Sequence, residues 1–113
     1  MKKLFTLLFV IFSLVVKSQV IPSEGLIIAE FNAPFSGTQC EYLEKLTDCD
    51  LAKIDISTQP KLQSKHKIVV VPTLIVFYDG EEVARFQANI MMKLEVTREE
   101  VQDKIDETIM SNF

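Results

Sequence analysis

The residues of this chain that could carry chemistry are its two cysteines, its histidine and a serine in a polar loop. Cys40 and Cys49 are the only cysteines among 113 residues, and His66 is the only histidine. Disulfide exchange needs a thiolate that attacks and a second thiol that releases the mixed disulfide. Ser36 would need a base, because a hydroxyl has too high a pKa to attack unaided. We expect His66 to be a solvated residue at the end of a helix, so a Ser–His hydrolase is disfavoured.

The two cysteines leave two interpretations open. If a continuous helix joined them, their separation of nine residues would place them about 13 Å apart. A disulfide needs Cα atoms within about 7 Å of each other, so a Cys40–Cys49 bridge requires the helix to end early. In the simpler interpretation Cys40 is a small buried hydrophobe on the inner face of a helix.

Apolar runs and turn signals predict an α/β domain. Strands are predicted over residues 26–31, 51–56, 74–78 and 82–88, and Asp79-Gly80 supplies the turn between the last two strands. Helices are predicted over residues 38–46 and 57–67, and a terminal helix begins at the capping box of Thr97 and Glu100. The order βαβαββα predicts a four-stranded mixed sheet that is covered by helices.

The segment around Pro72 is the reference from which the other motifs of the sequence are placed. Val71-Pro72-Thr73 opens the strand that ends at the Asp-Gly turn, and Lys53-Ile54-Asp55-Ile56 and Pro60 precede it in register. Proline cannot donate to a sheet ladder, so Pro72 belongs at the entrance of the strand, and the Val71–Pro72 bond is a candidate for the cis isomer. This stretch resembles the cis-proline segment of the thioredoxin family. The resemblance implies the minimal thioredoxin fold and a cis peptide bond before Pro72.

The resemblance also identifies where the chemistry of the family would lie. Thioredoxins carry Glu-Phe-x-Ala-Pro-Trp-Cys-Gly-x-Cys at the end of the first strand. In the matching stretch of this chain, Phe35 replaces the tryptophan, Ser36 the nucleophilic cysteine and Gln39 the resolving cysteine. Cys40 lies one residue further on. The resemblance therefore implies a redox-inactive member, unless Cys40 acts as an atypical thiol with or without the second cysteine.

Two further positions match the buried charges of the family. An acid on the first strand of thioredoxins lies below the active site near a strand lysine, and the matching residues are Glu30 and Lys53. The two strands are predicted to be adjacent and parallel. A buried carboxylate without a partner would cost several kcal/mol. We therefore expect a buried ion pair with a structural role.

The resemblance implies a binding surface that needs no sulfur. In the family, the residue before the cis-proline pairs its backbone with an extended client peptide, and strand-like pairing of this kind is a general mode of peptide recognition. Residues 90–92 could line the groove beside it. Alternatively, Met91 and Met92 fill the space left by the N-terminal strand and helix that full thioredoxins have and this chain is expected to lack. The expected binding residues are Phe35, Ser36, Gly37, Val71, Pro72 and Thr73.

The N-terminal segment has the composition of an export signal. Two lysines precede thirteen mostly apolar residues at positions 4–16, and Lys17-Ser18 follows them. As a helix this stretch would rise about 20 Å, which is less than the hydrocarbon core of about 30 Å. We predict a signal peptide over residues 1–18, a domain over residues 19–113, and a periplasmic or extracellular location. The alternative is an uncleaved helix that tethers the protein to the membrane.

The charge of the mature chain restricts its partners. Without the three leader lysines, nine basic and sixteen acidic residues remain, so the net charge falls from −4 to −7. Nucleic acid is not expected as a partner, because binding a phosphate backbone requires clustered Lys and Arg. We also expect no stable membrane insertion after signal removal, no cofactor and no metal.

Together these observations predict that the chain is an exported module that lacks the disulfide-exchange motif and binds an extended peptide or a partner protein. An atypical thiol-disulfide oxidoreductase that uses Cys40, with or without Cys49, is the alternative. A purely structural subunit that pairs through the apolar groove is a third possibility.

Overall fold

The computed structural model of the protein describes residues 21–112, so the predicted signal peptide lies outside the described residues. Two 3-10 turns, at Pro34–Ser36 and Leu43–Lys45, lie between the first two strands. The strands and helices are β1 (Leu26–Asn32), β2 (Asp50–Asp55), α1 (Pro60–Lys65), β3 (Thr73–Tyr78), β4 (Glu81–Gln87) and α2 (Arg98–Ser111).

The four strands form one sheet in the order β2-β1-β3-β4. β1 runs parallel to β2 and antiparallel to β3, and β3 runs antiparallel to β4. The two central strands are buried along almost their whole length, which suits their continuous apolar sequences. The predicted α/β architecture with a four-stranded mixed sheet is confirmed.

Successive side chains of a strand point to opposite faces, so the sheet has a core on each side. One face is covered by the segment between α1 and β3, and the other by the β1–β2 connection and α2. The first core includes Ile27, Ala29, Phe31, Ile54, Ile68, Val71, Ile75 and Phe77. The second includes Leu26, Ile28, Cys40, Leu43, Leu46, Leu74, Val76, Val101 and Ile105.

The β1–β2 connection differs from the prediction. Residues 38–46 do not form an α-helix, and only a 3-10 turn at Leu43–Lys45 is regular there. Of the four residues whose spacing predicts an inward face, Cys40, Leu43 and Leu46 are buried and Thr47 is exposed. The apolar spacing therefore identified the inner face but not the conformation of the backbone.

Side chains bind the backbone groups that a helix would have used. Asn32 Nδ2 lies 2.6 Å from the carbonyl oxygen of Thr38, and Ser36 Oγ lies 3.0 Å from the same oxygen. The backbone N–H of Cys40 donates to Glu30 Oε2 at 2.6 Å. A helix needs such carbonyl and N–H groups for its own i to i−4 ladder. Local and long-range side-chain bonds thus replace the helix.

The predicted turn and helix cap are present. Asp79 and Gly80 both have positive φ, and the Asp79 carboxylate accepts a hydrogen bond from the N–H of Gly25 at 2.8 Å. The hydroxyl oxygen of Thr97 accepts a hydrogen bond from the N–H of Glu100 at 3.2 Å, so α2 begins at the capping box. Within residues 21–112, no helix combines the length and the apolar character needed to cross a membrane.

Candidate functional site

The loop that follows β1 is held by its own polar side chains. Asn32 Oδ1 accepts from the N–H of Ala33 at 2.8 Å and lies 2.7 Å from Ser36 Oγ. The same Ser36 oxygen accepts from the N–H of Thr38 at 3.2 Å. The hydroxyl of Ser36 therefore takes part in the hydrogen bonds that shape the loop. Gly37 has a left-handed φ of 67° just after the first 3-10 turn.

The expectation that His66 is a solvated surface residue is wrong. Its ring is half-buried and packs against Phe31 and Phe77, with ring centroids 5.4 and 5.2 Å away. Burial and the nearby charge of Lys65 lower the pKa of His66 below its ordinary 6.5. This environment favours a neutral ring that contributes to packing, because an imidazolium would lose solvation beside the two aromatic rings.

Both cysteines are free thiols, so the alternative of a Cys40–Cys49 disulfide is wrong. Cys40 is 7% exposed and belongs to the second core, as expected for a small hydrophobe. Burial raises the pKa of Cys40, and burial together with the charges of Asp50 and Asp48 raises the pKa of Cys49 to about 11. Both groups are therefore poor sources of thiolate at neutral pH.

Glu30 and Lys53 are paired in the β1–β2 register, but the predicted buried ion pair does not form. Glu30 is 3% exposed, whereas the side chain of Lys53 is 56% exposed and its Nζ lies 3.4 Å from Glu44 Oε1. The long lysine side chain reaches water, where its ammonium keeps its solvation. Burial raises the pKa of Glu30, although the Cys40 N–H bond and the charge of Lys53 act in the opposite direction.

A cavity of about 470 Å³ opens at the carboxyl ends of β1 and β2. Its walls are Glu30 and Asn32 from β1, loop residues between 33 and 39, and residues 53–55 of β2. We call it the β1–β2 cavity. No group of three or more His, Cys, Asp or Glu side chains that could hold a metal ion occurs in the described part of the chain.

The structure divides the predicted site residues between two places. Ser36, Gly37 and Gln39 line the β1–β2 cavity together with the Glu30–Lys53 pair. A cavity was not expected there, because a helix was predicted from residue 38 onward. The one signal in the sequence was a set of polar residues, Asn32 and Thr38 among them, at the end of a buried strand.

The other place is the entrance of β3, where the Val71–Pro72 peptide bond is cis. The side chains of Val71, Pro72 and Thr73 are buried. The hydroxyl of Thr73 donates to the carbonyl of Val70 at 2.7 Å, and Pro72 O accepts from the N–H of Ala88 at 3.0 Å. Among residues 21–112, no hydrogen bond occupies the backbone N–H or C=O of Val71.

Four exposed apolar side chains lie on the segments that meet near Pro72. The loop after β4 is joined to Pro72 by the Ala88 bond and to the loop after β1 by the Thr38 hydroxyl, which donates to Met92 O at 2.6 Å. We call this set the apolar rim: Phe35 at 69%, Val69 at 77%, Ile90 at 94% and Met91 at 70% exposure. The alternative that Met91 and Met92 fill a space left by missing N-terminal elements is wrong for Met91, which is exposed, whereas Met92 is half-buried.

In sequence, the chain is similar to thioredoxins. The family model described as Thioredoxin matches residues 14–100. A thioredoxin of Mycobacterium tuberculosis is 43% identical over 42 residues, which are 37% of this chain and 36% of that protein. The match therefore spans about a third of that relative's length. A thioredoxin of Chlamydia trachomatis is 31% identical over 71 residues, which cover 56% of this chain and 69% of the relative.

Solved structures agree in fold. A mutant thioredoxin from Halobacterium salinarum NRC-1 superposes with a TM-score of 0.57 at 26% identity and covers 74% of each chain. Thioredoxin 1 from Thermosipho africanus gives the same TM-score at 23% identity, with 77% of this chain and 99% of that chain covered. At the lower identity the similarity concerns the fold alone.

Proposed function

The chain belongs to the thioredoxin family, and we propose that within this family it binds an extended peptide or a partner protein and does not exchange disulfides. In this proposal Ser36 and Gln39 occupy the positions of the two cysteines of the family motif. The chain has no Cys-x-x-Cys sequence, since its two cysteines are nine residues apart.

The position of Cys40 is the observation that carries the proposal. This thiol is closest in sequence to the loop after β1, but its side chain lies in the core and its N–H is bound to Glu30. Its raised pKa further disfavours the thiolate that would have to attack a disulfide. The rival function, an atypical thiol-disulfide oxidoreductase, is favoured by the names of the relatives.

The entrance of β3 supports the binding half of the proposal. The N–H and C=O of Val71 are unoccupied within residues 21–112, so an extended chain could pair with them as an added strand. Exposed side chains of the apolar rim lie at Val69, two residues before Val71, and on the loop that is joined to Pro72 through Ala88. Met91 adds a flexible surface that adapts to different partners. We propose that the contact is formed by the residues named from the sequence: Phe35, Ser36, Gly37, Val71, Pro72 and Thr73.

The redox half is tested by the reduction of insulin with dithiothreitol. The protein should not accelerate the reaction above the uncatalysed background. A variant with Ser36→Cys and Gln39→Cys is the matched control, because it restores both thiols in the same loop and should gain activity. A wild-type rate that disappears in Cys40→Ser would reject the proposal in favour of the oxidoreductase.

The binding half is tested with carboxymethylated insulin B chain, an extended apolar peptide without free thiols. Titration into the isotope-labelled protein should shift the amide resonances of Val71, Thr73 and Gly37. Phe35→Ser should weaken binding. Met110→Ser should not, although Met110 is 74% exposed, because it lies on α2 and outside the apolar rim. Equal effects of the two substitutions, or no saturable binding, would contradict the proposal.

We also propose export with cleavage after Ser18, on the composition of residues 1–18 alone. The mass of the protein recovered from an exporting host should correspond to a chain that begins at Gln19. Replacing Lys2 and Lys3 by glutamate should reduce export. Recovery of the uncleaved chain from the membrane fraction would favour the tethered alternative.

A further inference from the structure

We propose that the β1–β2 cavity binds a small organic cation, a guanidinium or primary ammonium group on an aliphatic stem, through the carboxylate of Glu30. This site shares Ser36 and Gly37 with the proposed peptide contact, but its charged group, Glu30, lies outside that contact. The cation site does not depend on the peptide-binding proposal.

The argument begins with the unused oxygen of a buried carboxylate. Glu30 is 3% exposed, and its Oε2 accepts the Cys40 N–H bond. Within residues 21–112 no hydrogen bond occupies Oε1. Every fully enclosed polar side-chain atom of the described residues has a partner, so Oε1 has some access to solvent. Because Glu30 lines the cavity, we infer that this access is through the cavity.

The charges around the cavity favour a cation. Asp55 supplies a second carboxylate to the wall, and its Oδ1 is held by the N–H and hydroxyl of Ser57 at 2.9 and 2.6 Å. Lys53 is the basic residue of the wall, but its Nζ is turned to Glu44 in an exposed pair. Two carboxylates would therefore repel a ligand anion, whereas a ligand cation would give Glu30 a partner of opposite charge.

The size and the remaining wall define the stem of the ligand. A volume of about 470 Å³ is within the range of small-molecule sites. Ala33, Pro34 and Ile54 provide apolar surface for a short aliphatic chain, and the carboxylates provide acceptors. A guanidinium has five donors in a planar fork, which suits carboxylate acceptors better than a single point charge. Ligands also tend to bind outside the carboxyl ends of strands in α/β sheets.

Two sources could supply this chemistry, a free small molecule or an arginine side chain of a protein. Calorimetric titrations with agmatine and with acetyl-glycyl-arginyl-glycine amide distinguish them. Agmatine binding supports a free cation as the ligand. Binding of the tripeptide without binding of agmatine supports an arginine side chain of a protein as the ligand, held also through the backbone on either side of it.

The decisive variant is Glu30→Gln. Its amide oxygen can still accept the Cys40 N–H bond, so the connection keeps its anchor while the negative charge is lost. We expect the probe that binds to lose about tenfold or more in affinity. Glu81→Gln is the matched control, since Glu81 is exposed at the start of β4 and should leave affinity unchanged. Failure of both probes to bind, or equal binding to wild type and Glu30→Gln, would overturn the proposal.

Discussion

Folding removes the carboxylate of Glu30 from water, and within residues 21–112 no cation is in contact with it. Its compensation is the short hydrogen bond from the Cys40 N–H and the more distant charge of Lys53. Burial outweighs both, so the pKa of Glu30 rises above its ordinary 4.5. The folded protein then holds the proton more tightly than the unfolded chain does. Ionisation of Glu30 consequently reduces the free energy of unfolding.

The first prediction concerns this pH dependence. As pH rises from about 4.5 through the higher folded pKa, the unfolded chain loses its proton first, so wild type should lose stability relative to Glu30→Gln by up to about 1.4 kcal/mol per pH unit. Below the unfolded pKa both states are protonated and the difference should be constant. Urea unfolding of both proteins between pH 4 and pH 8 measures this difference in the free energy of unfolding. A difference that does not change with pH would mean that Glu30 titrates alike in both states.

The second prediction concerns Lys53. Because its ammonium lies in water and touches only the exposed Glu44, Lys53→Met should change the free energy of unfolding by less than about 1 kcal/mol. Lys45→Met, at another exposed lysine, serves as the control for the added apolar side chain. Denaturant unfolding of the two variants provides the comparison. If Lys53→Met alone lowered the free energy of unfolding by about 3 kcal/mol or more, the result would support the buried Glu30–Lys53 ion pair that was predicted from the sequence.

At the scale of the element, the strands and the β1–β2 connection had different chances of being predicted. The strands could be predicted because two-faced burial, β-branched residues and the Asp79-Gly80 turn are all local in the sequence. The connection could not, because its backbone is fixed by Glu30 and Asn32, which reach forward from β1. Burial of one side chain in three or four is satisfied by an irregular segment with a single 3-10 turn as well as by a helix. The β1–β2 cavity was missed for the same reason.

The third prediction tests the cap of α2. Thr97→Ala removes the oxygen that accepts the Glu100 N–H bond and should destabilise the protein by about 1 kcal/mol. Thr47→Ala is a suitable control, because the Thr47 side chain is exposed. Thr47 bonds the side chain of Gln102 through its own backbone N–H and C=O, which the substitution leaves in place. Chemical unfolding should show a lower midpoint for Thr97→Ala alone. Equal losses in the two variants would indicate that the capping bond contributes nothing.

At the scale of the molecule, the loop after β1 connects both proposed sites. Ser36, Gly37 and Gln39 face the β1–β2 cavity, while Phe35 is part of the apolar rim. The loop is stiffened by the Asn32 hydrogen bonds and tied to the segment after β4 by the Thr38 hydroxyl. The loop is thus held by hydrogen bonds while its residues face two different surfaces.

The last prediction follows from the absence of a covalent bridge among the described residues. Since Cys40 and Cys49 are free, the stability of the domain rests on its two cores and its hydrogen bonds. Unfolding curves recorded with and without dithiothreitol should coincide, and denatured protein that has met no reductant should titrate two thiols per chain. A disulfide typically contributes about 2–4 kcal/mol, so its presence would shift the midpoint clearly on reduction. Such a shift, if lost in Cys49→Ala, would show that the cysteines pair and would return Cys40 to consideration as a redox group.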